Sequence, residues 1–583
     1  MELHFTKSGR AMFLAVGMVA LMVLFVLRLF YIQIIQHQYY VDQAASEQVK
    51  QFVLRAKRGE LYTMDNGVPN KLVMNETVYT VWVDPTQVTD RTAVVDSLTA
   101  IAGGNTRTDF AQYLATPNSR YQVLATKVTR KQAEMLKEKR LAGLGFDAVS
   151  QRVYPEGQLA SQTLGFVDAE GTGKYGFEQA NDDMLKGKDG ILKTVTDVRD
   201  VPLTIGDNNV KQPVVDGKNV VLTIDRNIQV QTEKALADGL ARSGATNASA
   251  IVMDPTTGKI LAMANLPTYD PSQLNNVSDA AVFNNDVISS PYEPGSDIKT
   301  FTVATGIDRG VITPESTYNN TDSIKVGDRV IGNATKGKTG TISMQTALDW
   351  SLNTGMVTIA QRLGDGMQIT SESRSTIYDY FHNRFRLSQR TGIELANEAK
   401  GLMIAPDQQN GNAVQYATMV FGQGMDATML QVASGFSSIV NGGVYNKPTI
   451  IAGTVNDAGI FSPSAAKQQY QGVVSQSTSS TVREMVHQAH YATYAPHSTP
   501  EGYYIGGKTG TSQTIVDGDY SSDQTIGTYL GFGGEVDALP RYVIMVDISA
   551  KNKNLGGGSD AKPIFNDISD WLIDYMRLTP SGV

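Results

Sequence analysis

Ser296 and Lys299 stand three residues apart in Tyr292-Glu293-Pro294-Gly295-Ser296-Asp297-Ile298-Lys299. Pro294 and Gly295 are poor helix residues, whereas Ser296 is a good helix start. Ile298, Phe301, Thr302 and Thr305 then recur at helical spacing as far as Arg309-Gly310, which predicts a helix with one buried face. Residues i and i+3 are neighbours on one face of such a helix. A serine hydroxyl is a weak nucleophile until a nearby base takes its proton. A lysine whose pKa is lowered by burial or by neighbouring cations can be that base. The pair suits nucleophilic catalysis at serine.

Two further pieces follow in order. Ser351-Leu352-Asn353 lies in Asp349-Trp350-Ser351-Leu352-Asn353-Thr354-Gly355, and Lys508-Thr509-Gly510-Thr511 follows Ile505-Gly506-Gly507. Taken singly, each piece has an ordinary structural reading: solvated helix surface, a helix N-cap, a strand-end turn. Together and in this order, Ser-x-x-Lys, Ser-x-Asn and Lys-Thr-Gly resemble the serine acyl-transfer set of penicillin-binding proteins and class A β-lactamases.

The elements that must carry these residues occupy 583 positions, more than one ordinary core, so two or three domains are expected. At 41% hydrophobic and 19% charged the composition is globular, and a net charge of −8 argues against a nucleic-acid surface. The absence of cysteine excludes disulfides, thiolate nucleophiles and cysteine-ligated metals. The six histidines are scattered, and His487 and His490 at i, i+3 read as a solvated helix face, because no carboxylate pair completes a metal site. Neither a metal nor an organic cofactor is expected.

Residues 11–32 form an apolar run interrupted only by Arg28, about 33 Å long as a helix and enough to cross a bilayer core. Lys7 and Arg10 precede it, which favours a cytoplasmic tail at 1–10 and an extracytoplasmic remainder. No small-x-small cleavage site follows promptly, so the run reads as an uncleaved single-pass anchor in the cell membrane. A stalk is expected at 33–55 and an extended mixed pedestal at 56–210, beginning with a strand that enters an Asn66-Gly67 turn. Residues 88–145 carry helical patterns with charged faces, and the glycines at 171–176 lack the lysine of a phosphate loop. Residues 207–218 read as a linker. From 215 to 583 the sequence predicts a strand at 219–225, a helix at 228–240 and a hairpin at 248–264, then helices to about 440. Strands at 508–514, 525–533 and 541–548 and a closing helix at 564–576 follow. Strands at both ends with helices between them imply an α+β domain whose sheet is built from both chain ends. Residues 468–480, rich in Ser and Gln, read as a surface excursion.

These features resemble a class B penicillin-binding protein over nearly the whole chain. Arg152-x-Tyr154-Pro155, Gly165-Phe166-Val167 and Gly173-x-x-Gly176-x-Glu178 look like its pedestal motifs. Thr223-Ile224-Asp225, the Tyr292-to-Lys299 box, Phe421-Gly422-Gln423-Gly424 and Asn441-Gly442-Gly443 look like its transpeptidase landmarks. The family's pedestal-opening motif is altered here, with Glu60-Leu61-Tyr62-Thr63-Met64-Asp65-Asn66-Gly67 one residue longer. Glu293 before Pro294-Gly295-Ser296 leans toward division-type rather than elongation-type members.

The resemblance implies a β-lactamase-like antiparallel sheet flanked by helices, and an acyl-enzyme on Ser296 formed from a peptidoglycan stem peptide ending in D-Ala-D-Ala. It makes Lys299 the base and Ser351 a proton relay between Lys299 and Lys508. Asn353 would hold Lys299 and bond the substrate backbone. Lys508 would supply positive potential, Thr509 and Thr511 would bind the substrate carboxylate, and Gly510 would leave room for substrate along the strand edge. The backbone N–H groups of Ser296 and Thr511 would form the oxyanion hole. β-Lactams would acylate the same serine, and a polytopic membrane glycan polymerase is an expected partner. A D,D-carboxypeptidase, a β-lactamase and a non-catalytic cell-wall scaffold are the competing readings.

Overall fold

The computed structural model describes residues 7–40, 49–116, 119–195, 210–466, 468–492, 500–516 and 519–582. They fall into two compact units, one made of residues 1–57 with 187–217 and the other of 58–186 with 218–583.

In the smaller unit a helix over Lys7–Phe30 runs into one wider turn at Tyr31–Ile35. The stretch Ala11–Ile35 has a mean hydropathy of 2.6 and is long and apolar enough to cross a membrane, three residues beyond the predicted end. Its side chains lie exposed, as a lipid-facing helix requires, and the Arg28 guanidinium sits 5.7 Å from the Tyr31 ring centre. The same unit holds an antiparallel sheet of Val49–Leu54, Gly190–Val195 and Val210–Gln212. The end of the predicted stalk and part of the predicted linker are therefore strands. Residues 41–48 of the stalk and 207–209 of the linker lie outside the described residues.

The larger unit contains two main sheets. The mixed sheet runs Phe461–Pro463, Ile451–Val455, Asn219–Asp225, Leu61–Asp65, Val68–Val83 and Gln122–Thr129, with Leu144–Val153 also on Val68–Val83. Asn219–Asp225 pairs parallel with Leu61–Asp65, so chain on both sides of the predicted linker shares one sheet. The hairpin turn at Asn66-Gly67 has both residues at positive φ, 49° and 84°, the conformation that two-residue hairpins need. Gln122–Thr129 corrects the wholly helical expectation for 88–145: there the helices Arg91–Ile101 and Arg130–Glu138 flank a strand whose Leu124, Ala125 and Val128 fill a local core.

The second sheet positions the site. Helix α1 (Arg226–Ser243) leads into β1 (Asn247–Met253) and β2 (Ile260–Leu266). Much later come β3 (Tyr503–Val516), β4 (Asp519–Glu535) and β5 (Tyr542–Ser549), in the antiparallel order β2-β1-β5-β4-β3. Alternate residues face opposite cores. Ile251 and Met253 join the large helical core with Met263, Phe532 and Met545, while Ala250 and Val252 join Val546, Ile548 and the helices α1 and Lys562–Tyr575. Burial on both faces explains why β1 reads as a continuous apolar run.

Residues 468–480 lie mostly at the surface, and the structure adds order there: Gln469–Tyr470 pairs with Tyr445–Asn446, and Gln476 opens a helix over Gln476–Ala492. The reading of the two histidines is corrected. On that helix His490 is 2% exposed, and its ring meets the Tyr529 hydroxyl at 2.5 Å. His487 lies 2.6 Å from the Ile505 carbonyl. The pair packs on the sheet rather than facing solvent.

The pedestal-type motifs converge on Glu178, which is fully buried. Its carboxylate accepts from Arg58 Nε at 2.8 Å and Arg152 Nε at 2.8 Å, and Arg58 also reaches Asp182 at 2.7 Å. Removing one partner of a buried ion pair leaves uncompensated charge. Glu178→Ala should lower the unfolding free energy by about 3–5 kcal/mol in urea titration of the full chain; a loss below about 1 kcal/mol would contradict this account.

Candidate active site

Backbone contacts hold the serine segment before any side chain acts. Tyr292 and Ala427 exchange both backbone hydrogen bonds, at 3.1 and 3.0 Å, and Gly295 N–H donates to the Gly422 carbonyl at 3.0 Å. Gly295 and Gly422 sit at φ 58° and 86°, and a Cβ on Gly422 would fall 2.0 Å from the Gly295 carbonyl oxygen, so only glycine fits. Glu293 Oε1 accepts from Gly424 N–H at 2.7 Å and from the Tyr520 hydroxyl at 3.0 Å. Ser512 Oγ on β3 donates to the Glu293 carbonyl at 2.5 Å. The Phe421-to-Gly424 loop and the Lys-Thr-Gly strand thus grip the segment from two sides.

Ser296 lies on a tight 3-10 turn, Gly295–Ile298, one turn ahead of helix α2 (Lys299–Asp308). The helix proper begins three residues later than the sequence predicts, after this 3-10 turn. Ser296 is half-buried, and among the described residues its hydroxyl makes no hydrogen bond.

Lys299 is 1% exposed, and its Nζ donates to Ser351 twice, to the carbonyl at 2.6 Å and to Oγ at 3.1 Å. Ser351 links the helix Met344–Asp349 to α3 (Asn353–Arg362) and holds a left-handed φ of 55°. That conformation costs about 1–3 kcal/mol in a residue with a Cβ. It persists because the neighbouring turns fix it: Thr354 N–H donates to Asn333 Oδ1 at 3.0 Å, and Thr354 Oγ1 to Asn320 Oδ1 at 2.8 Å. Lys338 Nζ lies 3.6 Å from the centre of the adjoining Trp350 ring.

The other expected site residues stand as follows. Asn353 Nδ2 donates to the Gly332 carbonyl at 2.9 Å and not toward Lys299, because the first turn of α3 is fastened to the hairpin of Ser323–Val326 and Arg329–Gly332. Lys508 is 3% exposed, and its Nζ donates to its neighbour Thr509, to the carbonyl at 2.9 Å and to Oγ1 at 3.2 Å. Ser351 therefore bonds Lys299 but does not bridge the two lysines. Thr509 is half-buried, Thr511 is exposed, and Gly510 lies between them with its backbone against the Ser296 turn. A Cβ on Gly510 would meet Thr528 Oγ1 and the carboxylate of Asp297.

Burial, and then the charge on Lys508, holds the Lys299 pKa well below the usual lysine range, so its amine is available as a base. Burial also lowers Lys508, while Asp297 and Asp349 pull it back up. Sequence reasoning passed over Asp297, a residue between motif letters that is fully buried and accepts from Thr528 Oγ1 on β4 at 2.7 Å. The signal available was a charged residue at a position where helical periodicity predicts burial. Behind it, burial and then Asp286 and Asp297 push the Asp547 carboxyl up to about 7. Among the described residues no group of His, Asp and Glu has the arrangement of a metal site.

A buried lysine within reach of a loop serine and a half-exposed serine on a tight turn can accept, relay and return a proton around a reacting carbonyl. The comparisons agree with that chemistry. The sequence matches the Penicillin binding protein transpeptidase domain over residues 248–570 and the Penicillin-binding Protein dimerisation domain over residues 53–222. Penicillin-binding protein PbpB of Mycolicibacterium smegmatis is 32% identical over 441 residues, which cover 74% of this chain and 66% of that relative's length. Stage V sporulation protein D of Bacillus subtilis is 29% identical over 594 residues, covering 99% of this chain and 87% of the relative. Penicillin binding protein 3 from Mycobacterium tuberculosis, solved in complex with aztreonam, superposes with a TM-score of 0.67 at 27% identity, covering 91% of this chain and 98% of that one.

Gly422→Ala should push the Gly295 carbonyl and displace the Ser296 turn. Misplacement of about 1 Å costs on the order of 10²-fold in rate, so acylation of Ser296 by a fluorescent penicillin should slow by about that factor, with the far-UV circular dichroism unchanged.

Proposed function

Because the chain belongs to the penicillin-binding protein transpeptidase family, we propose that it is a peptidoglycan D,D-transpeptidase of the division-type class B group. The observation that carries this reading is Lys299, fully buried beside a second buried lysine and bonded to Ser351. A lysine in that setting is a base at neutral pH rather than a surface cation.

In this reading the neutral Lys299 amine takes the Ser296 proton as Oγ attacks the carbonyl between the two terminal D-alanines of a stem peptide. The N–H groups of Ser296 and Thr511 stabilise the oxyanion, each such donor being worth about 10²–10³ in rate. Ser351 returns the proton to the departing D-alanine amine. An acceptor amine from a second stem peptide then displaces Ser296 from the acyl-enzyme and closes the cross-link. Lys508, Thr509 and Thr511 meet the substrate carboxylate, and Asn353 reaches the substrate from the first turn of α3. The N-terminal helix anchors the chain with its first residues in the cytoplasm, and residues 56–210 serve as a pedestal for the catalytic domain at 215–583. Anchor and pedestal together dock a polytopic membrane glycan polymerase. Recovery of such a polymerase with the full-length protein but not with one lacking residues 1–55 is the expected result, and equal recovery from both would sink that part.

The deciding measurement uses full-length protein in detergent and a fluorescent penicillin, with mass spectrometry of the adduct. A covalent adduct on Ser296 that lasts minutes to hours and vanishes in Ser296→Ala is expected. Loss of the adduct within seconds would indicate a hydrolase of the β-lactamase kind, and a folded protein that takes no label would indicate a scaffold.

A pH dependence follows from the two lysines. Lys299 must be neutral to act as base, and the Lys508 charge helps keep it so. Lys508→Gln removes that field, so the Lys299 pKa rises and the acid limb of the acylation profile moves to higher pH, by about one unit or more. An acid limb at its original pH would refute this coupling.

A further inference from the structure

Asp297 has no role in the chemistry above, yet its placement is costly. It sits on the same turn as the nucleophile and is fully buried. One carboxylate oxygen accepts from Thr528 Oγ1 at 2.7 Å, and the other has no hydrogen-bond partner among the described residues. The carboxylate lies against Gly510 of the Lys508-Thr509-Gly510 strand, close enough that a Cβ on Gly510 would fall 2.7 Å from Asp297 Oδ2. A buried carboxylate with an unsatisfied oxygen is costly unless it takes up a proton or a nearby charge compensates it.

The titratable groups around it come from every neighbouring element. Lys508 lies on β3, Tyr529 on β4 and Asp547 on β5, Tyr292 precedes the turn, and Lys299 opens α2. Asp349, at the end of the Met344–Asp349 helix, also acts on Lys508. His490 and Lys562 line the small cavity that Lys508 also lines. Of these cations, Lys508 is the one whose charge acts on Asp297.

We propose that Asp297 is a positioning residue that acts through Lys508: its carboxylate, pressed against the Lys-Thr-Gly strand, keeps Lys508 in the charged form and so sets the upper pH at which Ser296 is acylated. This rests on the acyl-transfer reading given above. An ionised Asp297 stabilises the ammonium that burial would otherwise discharge, and Thr528 stabilises the ionised Asp297 by its hydrogen bond.

The test compares full-length wild type with Asp297→Asn, which keeps the size and a partner for Thr528 but removes the charge. Rate constants for acylation by a fluorescent penicillin are measured from pH 5.5 to 10. The alkaline limb of Asp297→Asn should lie about 1–2 pH units lower; an unmoved limb with a smaller amplitude would show a merely structural residue and overturn the proposal.

Melting temperature against pH supplies a readout independent of acylation. Burial raises the carboxyl above its unfolded value, so the stability it contributes is present below the unfolded pKa and is lost as pH rises through the folded one. The difference between variant and wild type should therefore move in the variant's favour as pH rises from 5 to 8, and a constant difference would count against a titrating carboxylate. Thr528→Val, which removes only the hydrogen-bond donor, leaves Asp297 less ionised and should move the alkaline limb to lower pH by a smaller amount than Asp297→Asn; if Asp297→Asn fails to fold, an unmoved alkaline limb in this variant overturns the proposal. A folded wild type that takes no label removes the acyl-transfer reading and this one together, whereas labelling with both limbs unmoved removes this one alone.

Discussion

The site depends on burying an amine where its charge is expensive. Among the described residues Lys299 has no carboxylate bonded to it, and its amine donates to the carbonyl and hydroxyl of Ser351. A dry interior disfavours the ammonium, and a second buried lysine disfavours it further. The surrounding structure supplies the walls that make this possible: α2 with its apolar neighbours below, the loop before α3 at the side, and β3 across the cleft. The backbone work at Gly295 and Gly422 belongs to the same constraint, since the nucleophile must reach the amine without opening that enclosure to water.

Much of this was legible in the sequence because the chemistry-bearing residues fall in short motifs, and because two-sided burial of the central sheet writes itself as apolar runs. The α+β class, the anchor-length helix and the sheet built from both chain ends follow from those patterns. What failed were readings that depend on partners far along the chain. His490 has the spacing of a solvated helix residue, and nothing nearby announces Tyr529. Gln122–Thr129 was hidden by the charged helix that follows it, while residues 210–212 looked like linker because their strand partner lies at 190–195. Asp297 shows the limit most clearly: helical periodicity marks this charged letter of the Ser-x-x-Lys motif for burial, but only β3 and β4 folded over it show what buries it. Asn353 shows the converse, since its motif position suggested a partner in Lys299 and its helix turn gave it Gly332.

The larger unit reuses one device at two scales. Glu178 gathers Arg58 and Arg152 from positions more than ninety residues apart in sequence, and Asp297 sits against Thr528 and Gly510 from strands two hundred residues away. In each case a buried carboxylate ties segments that local structure alone would leave unrelated. The first tie is fully paired and structural, whereas the second keeps an unsatisfied oxygen beside the reaction centre.

The order of the sheet carries a consequence for how such a chain is made. β5 pairs on one side with β1 and on the other with β4, so the strand that joins the two halves of the sheet is the last of the five to be synthesised. Until residue 549 has left the ribosome, the Ser296 turn has its own loop but no seated Lys-Thr-Gly strand, and its apolar sheet faces lie open. Contacts of such long sequence separation form slowly. A nascent chain therefore spends most of its elongation with its apolar sheet faces unshielded, and a stop codon between Thr511 and the closing strand yields a protein that carries every motif residue without the sheet that holds them in place.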